Sequence, residues 1–282
     1  MTATVLLAGC GDLGCEVAGR LVSAGHQITG LRRSDSVLPQ GVIPFKADVS
    51  KPETLQALDH LQPDILIYCV AADAHTDESY RVHYVDGLRN VLAALADSVS
   101  LLHVFFVSST GIYGQQSDEL LDETVEPIPV DFSGIRMLEA EALLKNLPCP
   151  ATALRLSGIY GPGRNRMINL AKVPQQWPQH NIWTNRIHRD DAANAIAYMI
   201  ERVNSGKPVE DCYIVTDSTP VSQYKVLQWM AAKLGVEPAG NDIPQVSGGK
   251  RLSNQRLLAS GFKLAYPDYI SGYSSLLSAS IE

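Results

Sequence analysis

The sequence predicts an α/β fold built on a doubly wound parallel sheet, and three observations carry that expectation. Short aliphatic runs alternate with helical patterns through the first 160 residues, the order expected of buried parallel strands joined by right-handed crossovers. The first run, Val5-Leu6-Leu7-Ala8, breaks at Gly9-Cys10-Gly11-Asp12-Leu13-Gly14 and passes straight into a helical stripe. The chain of 282 residues is 45% hydrophobic and 19% charged, enough apolar material for one large domain or a large one with a small companion.

The elements follow in order. Leu13, Val17, Leu21 and Val22 recur at helical spacing, and Ala24-Gly25 ends that helix with a glycine free to adopt the left-handed conformation. Residues 28–31 read as a second strand, and 42–45 as a short third strand followed by Asp48. Pro52 suits the first turn of a helix over 52–61. Residues 64–70 form a buried fourth strand. A long helix covers 80–96, with Val82, Val85, Leu88, Val91, Leu92 and Leu95 inward. A fifth strand over 102–107, a helix over 137–147 closed by Pro148, and a sixth strand over 151–156 complete the alternation. After Tyr160 the pattern changes: Gly161-Pro162-Gly163, Pro174 and Pro178 mark irregular structure. A helix over 190–203, a strand over 212–215, a helix over 222–234 capped by Ser222, and a Gly/Pro-rich loop over 238–249 follow.

The glycine loop points to a dinucleotide. Gly9 allows the tight turn, Gly11 lets a pyrophosphate approach the backbone, and Gly14 lets helix and strand pack closely. The diphosphate would sit on the unpaired N–H groups around Asp12 and Leu13, where the helix dipole favours negative charge. Arg32 lies 18 residues beyond Gly14, near the place where an acidic residue would bind an NAD ribose. An arginine there pairs with a 2′-phosphate, which a carboxylate would repel, so Arg32, with Arg33 beside it, favours NADP over NAD. Asp48 is placed to accept a hydrogen bond from the adenine amino group.

Global properties narrow the class further. A net charge of −7 argues against a nucleic-acid surface as the main partner. No apolar run reaches membrane-spanning length, and the first strand starts at once, without a secretory pattern. The five cysteines, Cys10, Cys15, Cys69, Cys149 and Cys212, are scattered without metal-ligand spacing, which fits reduced thiols in a cytoplasm and no metal site.

Further stretches extend the pattern: Val107-Ser108-Ser109-Thr110-Gly111-Ile112-Tyr113-Gly114, Leu154-Arg155-Leu156-Ser157-Gly158-Ile159-Tyr160-Gly161-Pro162-Gly163, Ile187-His188-Arg189-Asp190-Asp191-Ala192-Ala193, and Lys250-Arg251-Leu252-Ser253-Asn254. With the glycine loop they resemble the extended short-chain dehydrogenase/reductase superfamily, in its NAD-dependent epimerase/dehydratase group, over essentially the whole chain. The resemblance implies a Rossmann doubly wound sheet with a small C-terminal substrate-binding domain. It places the NAD(P)-binding domain in 1–160, rejoined by segments near 186–220, and a small cap mostly in 161–282. It also implies a small-molecule substrate, a nicotinamide near Ala71-Ala72, and a homodimer. One departure is Ala8, where the family usually carries a further glycine.

The family's chemistry uses a Ser or Thr, a Tyr and a Lys, and here the match is partial. Ser109 stands at the Ser position, with Thr110 as its neighbour and substitute. The family pattern P-x-x-x-Y-G-x-S-K falls on Pro129-Val130-Asp131-Phe132-Ser133-Gly134-Ile135-Arg136-Met137, putting Ser133 at the Tyr position and Met137 at the Lys position. A Ser hydroxyl is far less acidic than a phenol of pKa ~10, and Met supplies no charge. Candidate stand-ins are Tyr113, His188 as a base near neutral pH, and Arg136 for the missing positive charge.

Two readings follow. In the first, the chain is an NAD(P)-dependent epimerase/dehydratase-like oxidoreductase acting on a small polar carbonyl or nucleotide-sugar-like compound through a non-standard acid/base. In the second, it is a non-catalytic NADP-binding redox sensor or regulatory protein.

Overall fold

The computed structural model describes residues 2–237 and 243–279. Among them run strands β1 Thr4–Ala8, β2 Gln27–Arg32, β3 Val42–Lys46, β4 Ile65–Tyr68, β5 His103–Ser109, β6 Leu120–Leu121 and β7 Ala151–Leu156. Further on lie β8 Gly158–Tyr160, β9 Asn181–Thr184, β10 Arg186–His188, β11 Cys212–Val215, β12 Val221–Ser222, β13 Val246–Gly249 and β14 Arg251–Leu252. The α-helices are α1 Asp12–Ser23, α2 Asp77–Tyr80, α3 Gly87–Ala94, α4 Phe132–Leu144, α5 Arg166–Ala171, α6 Arg189–Asn204, α7 Gln223–Lys233, α8 Gln255–Ala259 and α9 Tyr269–Ala279.

The central sheet has seven strands in the order β11-β7-β5-β4-β1-β2-β3. The strands from β3 across to β5 pair in parallel, with β1 between β2 and β4. The fold is therefore the expected Rossmann-like α/β sheet. Strands buried on both faces need apolar residues at every position. Leu6, Leu7 and Ala8 of β1, Leu66, Ile67 and Tyr68 of β4, and Val104, Phe105 and Phe106 of β5 are all fully buried. From β1 the chain winds out to β3 on one side and returns through β4 to the other. The ends of β1 and β4 are thus a topological switch point, the place where such sheets bind ligands.

The chain divides into two compact units. The first comprises Met1–Gly114, Pro127–Arg155 and Ala193–Tyr213; the second comprises Gln115–Glu126, Leu156–Ala192 and Ile214–Glu282. The second unit has its own core, in which Tyr160, Ile168, Val226, Leu227, Met230 and Tyr273 pack together. Its short strands pair as β8 with β10, β9 with β12 and β13, and β6 with β14.

Several local expectations need correction. The helix expected over 52–61 is two 3₁₀ segments, Pro52–Thr54 and Gln56–Leu61. Its buried anchors, Leu55 and Leu58, lie three residues apart, which suits three residues per turn. The helix expected over 80–96 starts at Asp77, where the Thr76 hydroxyl accepts the Ser79 N–H, and passes through a π-helical stretch, Arg81–Asp86, before α3. Gly87 follows that stretch because a Cβ there would press on the Tyr68 hydroxyl and on Val49. The helix α4 begins at Phe132 rather than 137, because the Asp131 carboxylate caps it by accepting the Gly134 N–H at 2.9 Å. The loop expected over 238–249 contains β13, paired with β9, while residues 238–242 lie outside the described residues.

One buried charge network, unmarked in the sequence, ties α4 to the sheet. Arg155 on β7 donates through Nη2 and Nε to the Glu141 carboxylate at 2.7 and 3.1 Å, and through Nη1 to the Tyr113 hydroxyl at 2.6 Å. The Ser108 hydroxyl completes it, donating to Glu141 at 2.6 Å. The side chains of Arg155 and Glu141 are only 10% and 8% exposed. Removing one partner leaves a buried charge uncompensated. Glu141→Ala is therefore expected to destabilise the protein by about 3–5 kcal/mol, read from denaturant unfolding. A loss below about 1 kcal/mol, the range of exposed pairs, would show that water reaches the pair.

Candidate functional site

A cavity of about 460 Å³ opens at the carboxyl ends of β1 to β4. Four loops line it: Gly9, Cys10 and Gly11 after β1; Leu31 to Ser34 at the end of β2; Ala47 and Val49 after β3; and Cys69 to Asp73 after β4. Its size lies within the roughly 300–1,000 Å³ of ligand clefts. Of the residues expected to hold a dinucleotide, Gly9, Gly11, Arg32, Arg33, Ala71 and Ala72 are brought together on this lining.

The glycine loop has a distinct reason at each position. Gly9 has φ +99°, and a Cβ on it would collide with the Cys69 carbonyl. A Cβ on Gly14 would collide with the Gly9 carbonyl, so α1 and the loop can meet only without a side chain. A Cβ on Gly11, by contrast, would meet nothing within 4 Å. Gly11 is the N-cap of α1, so open space lies beside the first unpaired amides of that helix. Asp12 and Leu13 open α1 and, like Gly14, are not part of the cavity lining; Leu13 and Gly14 are buried.

Arg32 and Arg33 differ. Arg32 Nη1 reaches the Ser36 carbonyl at 3.4 Å, and its Nε is buried without a hydrogen-bond partner among the described residues. Arg33 is held by Asp73 through two hydrogen bonds. Asp48 does not line the cavity. Its Oδ1 accepts from the backbone and hydroxyl of Ser50 at 3.0 and 2.7 Å, which turns its own loop. Burial would raise the Asp48 carboxyl, but the Ser50 hydrogen bonds with Arg33 and Lys51 hold it below the usual range. Cys10 and Cys15 are not activated by the helix terminus. Burial pushes the Cys10 thiol up to about 12, and burial raises Cys15 as well.

The residues expected to do chemistry are placed as follows. Ser109 ends β5, half-buried, and its Oγ accepts the Gly111 N–H at 3.0 Å, which leaves its hydrogen available to donate. Thr110 is buried in the 3₁₀ turn that follows. Tyr113 is fully buried, with its hydroxyl on Arg155, so packing has taken it into the network under α4. Arg136 is spoken for: Nε and Nη2 donate to Asp77 at 2.7 and 3.0 Å and Nη1 to Glu139 at 2.8 Å. Ser133 donates to the capping carboxylate of Asp131 at 2.6 Å, and Met137 is buried. The start of α4 instead packs aromatics, with Phe132 against His75 and Tyr80. Nowhere in the chain does a lysine follow a tyrosine at the fourth position.

His188 belongs to the second unit, where it is 1% exposed. Its Nδ1 accepts the Asp190 N–H at 3.2 Å, which leaves the proton of the neutral ring on Nε2. Nε2 has no partner among the described residues, and burial lowers the pKa of the ring. Rings of Tyr160 and Tyr266 pack on it at 5.3 and 4.0 Å. Tyr160 Oη, Arg186 Nη1 and Asp217 Oδ2 in the same unit are likewise buried without partners. Two tryptophans of the second unit are engaged: Trp177 donates to the Leu170 carbonyl, and Trp183 donates to Asp118 beneath the Arg251 guanidinium.

Sequence reasoning missed Asp73 and His83 on the cavity lining. Asp73 follows Ala71-Ala72 directly, but a partnership 40 residues away from Arg33 leaves no periodic signal.

Residues 5–215 match the model of the NAD dependent epimerase/dehydratase family. A solved structure from Methylobacillus flagellatus that carries the name of an NAD-dependent epimerase/dehydratase is 54% identical, with all of both chains covered and a TM-score of 0.92. The UDP-glucose 4-epimerase of Thermus thermophilus, solved in complex with NAD, is 20% identical over 95% of this chain and 96% of its own, with a TM-score of 0.76. At that identity the likeness speaks for the fold. A curated relative, GDP-6-deoxy-D-talose 4-dehydrogenase of Aggregatibacter actinomycetemcomitans, is 28% identical over 126 residues, a stretch that spans 42% of this chain and 42% of that enzyme. Among the described residues no helix is long and apolar enough to cross a membrane.

Asp217 offers a test of the second unit's electrostatics. Burial pushes its carboxyl up to about 7, reinforced by Asp268 and Asp191 and opposed by the Thr219 N–H and Arg186. An unfolded Asp titrates near ~3.9, so between about 4 and 7 the folded state holds a proton that the unfolded chain has released. Stability from this group therefore falls as pH rises through that window. Asp217→Asn is expected to flatten the fall in melting temperature between pH 4 and 8. A variant with the wild-type slope would show that another group titrates.

Proposed function

The chain belongs to the NAD-dependent epimerase/dehydratase family, and we propose that it is a nicotinamide-dependent oxidoreductase that takes NADP in preference to NAD and acts on a small polar carbonyl or nucleotide-sugar-like compound. The observation that carries this reading is the cavity at the switch point. Open space lies at Gly11 beside the α1 N-terminus, and an arginine with a partnerless buried nitrogen stands at the end of β2. A diphosphate suits the first and a 2′-phosphate the second.

The residues present fit such a nucleotide. The amides at the start of α1 would hold the diphosphate, Arg32 the 2′-phosphate, and the backbone around Ala71 and Ala72 the far wall. A nicotinamide nucleotide, when bound, supplies the hydride donor or acceptor. Ser109 would orient the substrate: its Oγ accepts the Gly111 N–H, which leaves its hydrogen to donate to a substrate oxygen. α4 offers neither phenol nor ammonium, so the acid/base is a non-standard one that this helix does not supply.

The same α4 favours a second reading, a non-catalytic NADP sensor. Met137 lies buried where the family resemblance expects a cation, and Arg136 is neutralised by two carboxylates.

Fluorescence titration separates the claims. NADPH is expected to bind more tightly than NADH, and Arg32→Asp is expected to reverse that order by about tenfold or more, the weight of a charge-assisted pair. Equal binding of both nucleotides by the wild type would remove the arginine argument. NADPH oxidation with a panel of carbonyl compounds then decides between readings, since tight binding without any turnover supports the sensor.

A further inference from the structure

One contact on the cavity lining is left over by that reading. The Arg33 guanidinium meets Asp73 end-on, with Nη1 to Oδ2 at 2.7 Å and Nη2 to Oδ1 at 2.5 Å. His83 faces the same oxygen, its Nε2 3.1 Å from Oδ2, where it donates when the ring is protonated. His83 is itself fixed. It lies 9% exposed in the π-helical stretch, its Nδ1 donates to the Ser79 carbonyl at 2.8 Å, and its own carbonyl accepts from the Tyr68 hydroxyl. Arg33 and Asp73 are about half exposed, and all three side chains line the cavity with Arg32.

We propose that Asp73 is a specificity-determining residue that sets the choice between NADP and NAD by occupying the Arg33 guanidinium. This rests on the nucleotide reading above and deepens it. Two adjacent arginines at the end of β2 would together make a strong site for a 2′-phosphate. Asp73 fills the fork of one and leaves Arg32 to act alone. It also places a negative charge at the cavity, which repels a phosphate but can accept a hydrogen bond from a 2′-hydroxyl. Chiefly through Arg33, and helped by His83, its carboxyl is held below the usual range, so that charge persists across the neutral range. His83, anchored through backbone and ring, stands beside the carboxylate and, when protonated, helps hold it against Arg33. The arrangement moderates the preference for NADP that Arg32 and Arg33 would otherwise impose.

Asp73→Asn keeps the shape and removes the charge. Binding of NADPH and NADH to the intact protein is followed by fluorescence, and displacement by 2′,5′-ADP and 5′-AMP reads the adenosine half separately. The expected result is an approximately tenfold gain for NADPH and 2′,5′-ADP, with less than about twofold change for NADH and 5′-AMP. Arg33→Ala leaves the Asp73 charge uncompensated and is expected to weaken NADPH binding in the wild type, and in the Asp73→Asn background to abolish the gain, a coupling that a purely structural role would not produce. Circular dichroism and a melting curve for each variant exclude unfolding as the cause, and Asp73→Ser serves as a second charge-removing variant. Equal shifts for both nucleotides, or no gain in either Asp73 variant, would overturn the assignment while leaving nucleotide binding intact. Failure of the wild type to bind either nucleotide would overturn both.

Discussion

The shape of the site depends on two backbone approaches that only glycine permits. The Cys69 carbonyl lies where a side chain at Gly9 would stand, and the Gly9 carbonyl lies where one at Gly14 would stand. Hydrogen bonds stitch the same corner: Gly9 N–H donates to Leu31 at 3.0 Å and Cys69 N–H to Ala8 at 2.7 Å. The ends of β2, β1 and β4 are thereby drawn to one point, with the start of α1 set against them. Any Cβ at Gly9 or Gly14 would meet backbone atoms, which cannot give way as a flexible side chain can. The cavity and its helix terminus are thus consequences of one turn.

The arginines around the first unit show how position decides what a charge can do. Arg155 is buried with Glu141, where the pair is held by extra hydrogen bonds from Ser108 and Tyr113 and neither partner is dispensable. Arg136 pairs with exposed carboxylates, a contact worth little to stability that nonetheless cancels its charge. Arg33 pairs with Asp73 on the cavity lining, and Arg32 keeps a nitrogen without a partner among the described residues. Four guanidinium groups of the same chemistry thus have four different capacities to meet an anion.

On the proposed reading, the glycine turn serves a nucleotide, and the stretch around α4 differs from the pattern that the family resemblance implies for proton transfer. Ser109 is positioned by the turn that follows β5, while α4 begins with Phe132 and Ser133 and buries Met137. A serine hydroxyl can orient an oxygen without holding a proton reserve, whereas a phenol beside an ammonium does both. Tyr113 does not fill the gap, because Arg155 and the core have claimed it.

Much of the fold was legible where burial makes the signal continuous. The strands Ala151–Leu156 and Cys212–Val215 match the expected bounds because a strand covered on both faces reads as a mainly apolar run, which the buried Thr152 and Arg155 of the first interrupt without ending. The π-helical stretch, the early start of α4 and the pairing of β13 were not legible; a capping carboxylate and a partner strand set the last two rather than periodicity. The sequence by itself determined the parallel α/β sheet, the glycine turn and the basic end of β2, because each follows from neighbouring residues and local conformational preference. Only the tertiary structure decided which charges are free. Asp73 reaches Arg33 across 40 residues and Asp77 reaches Arg136 across 59, distances that chain-local patterns cannot encode but a folded sheet brings within a hydrogen bond.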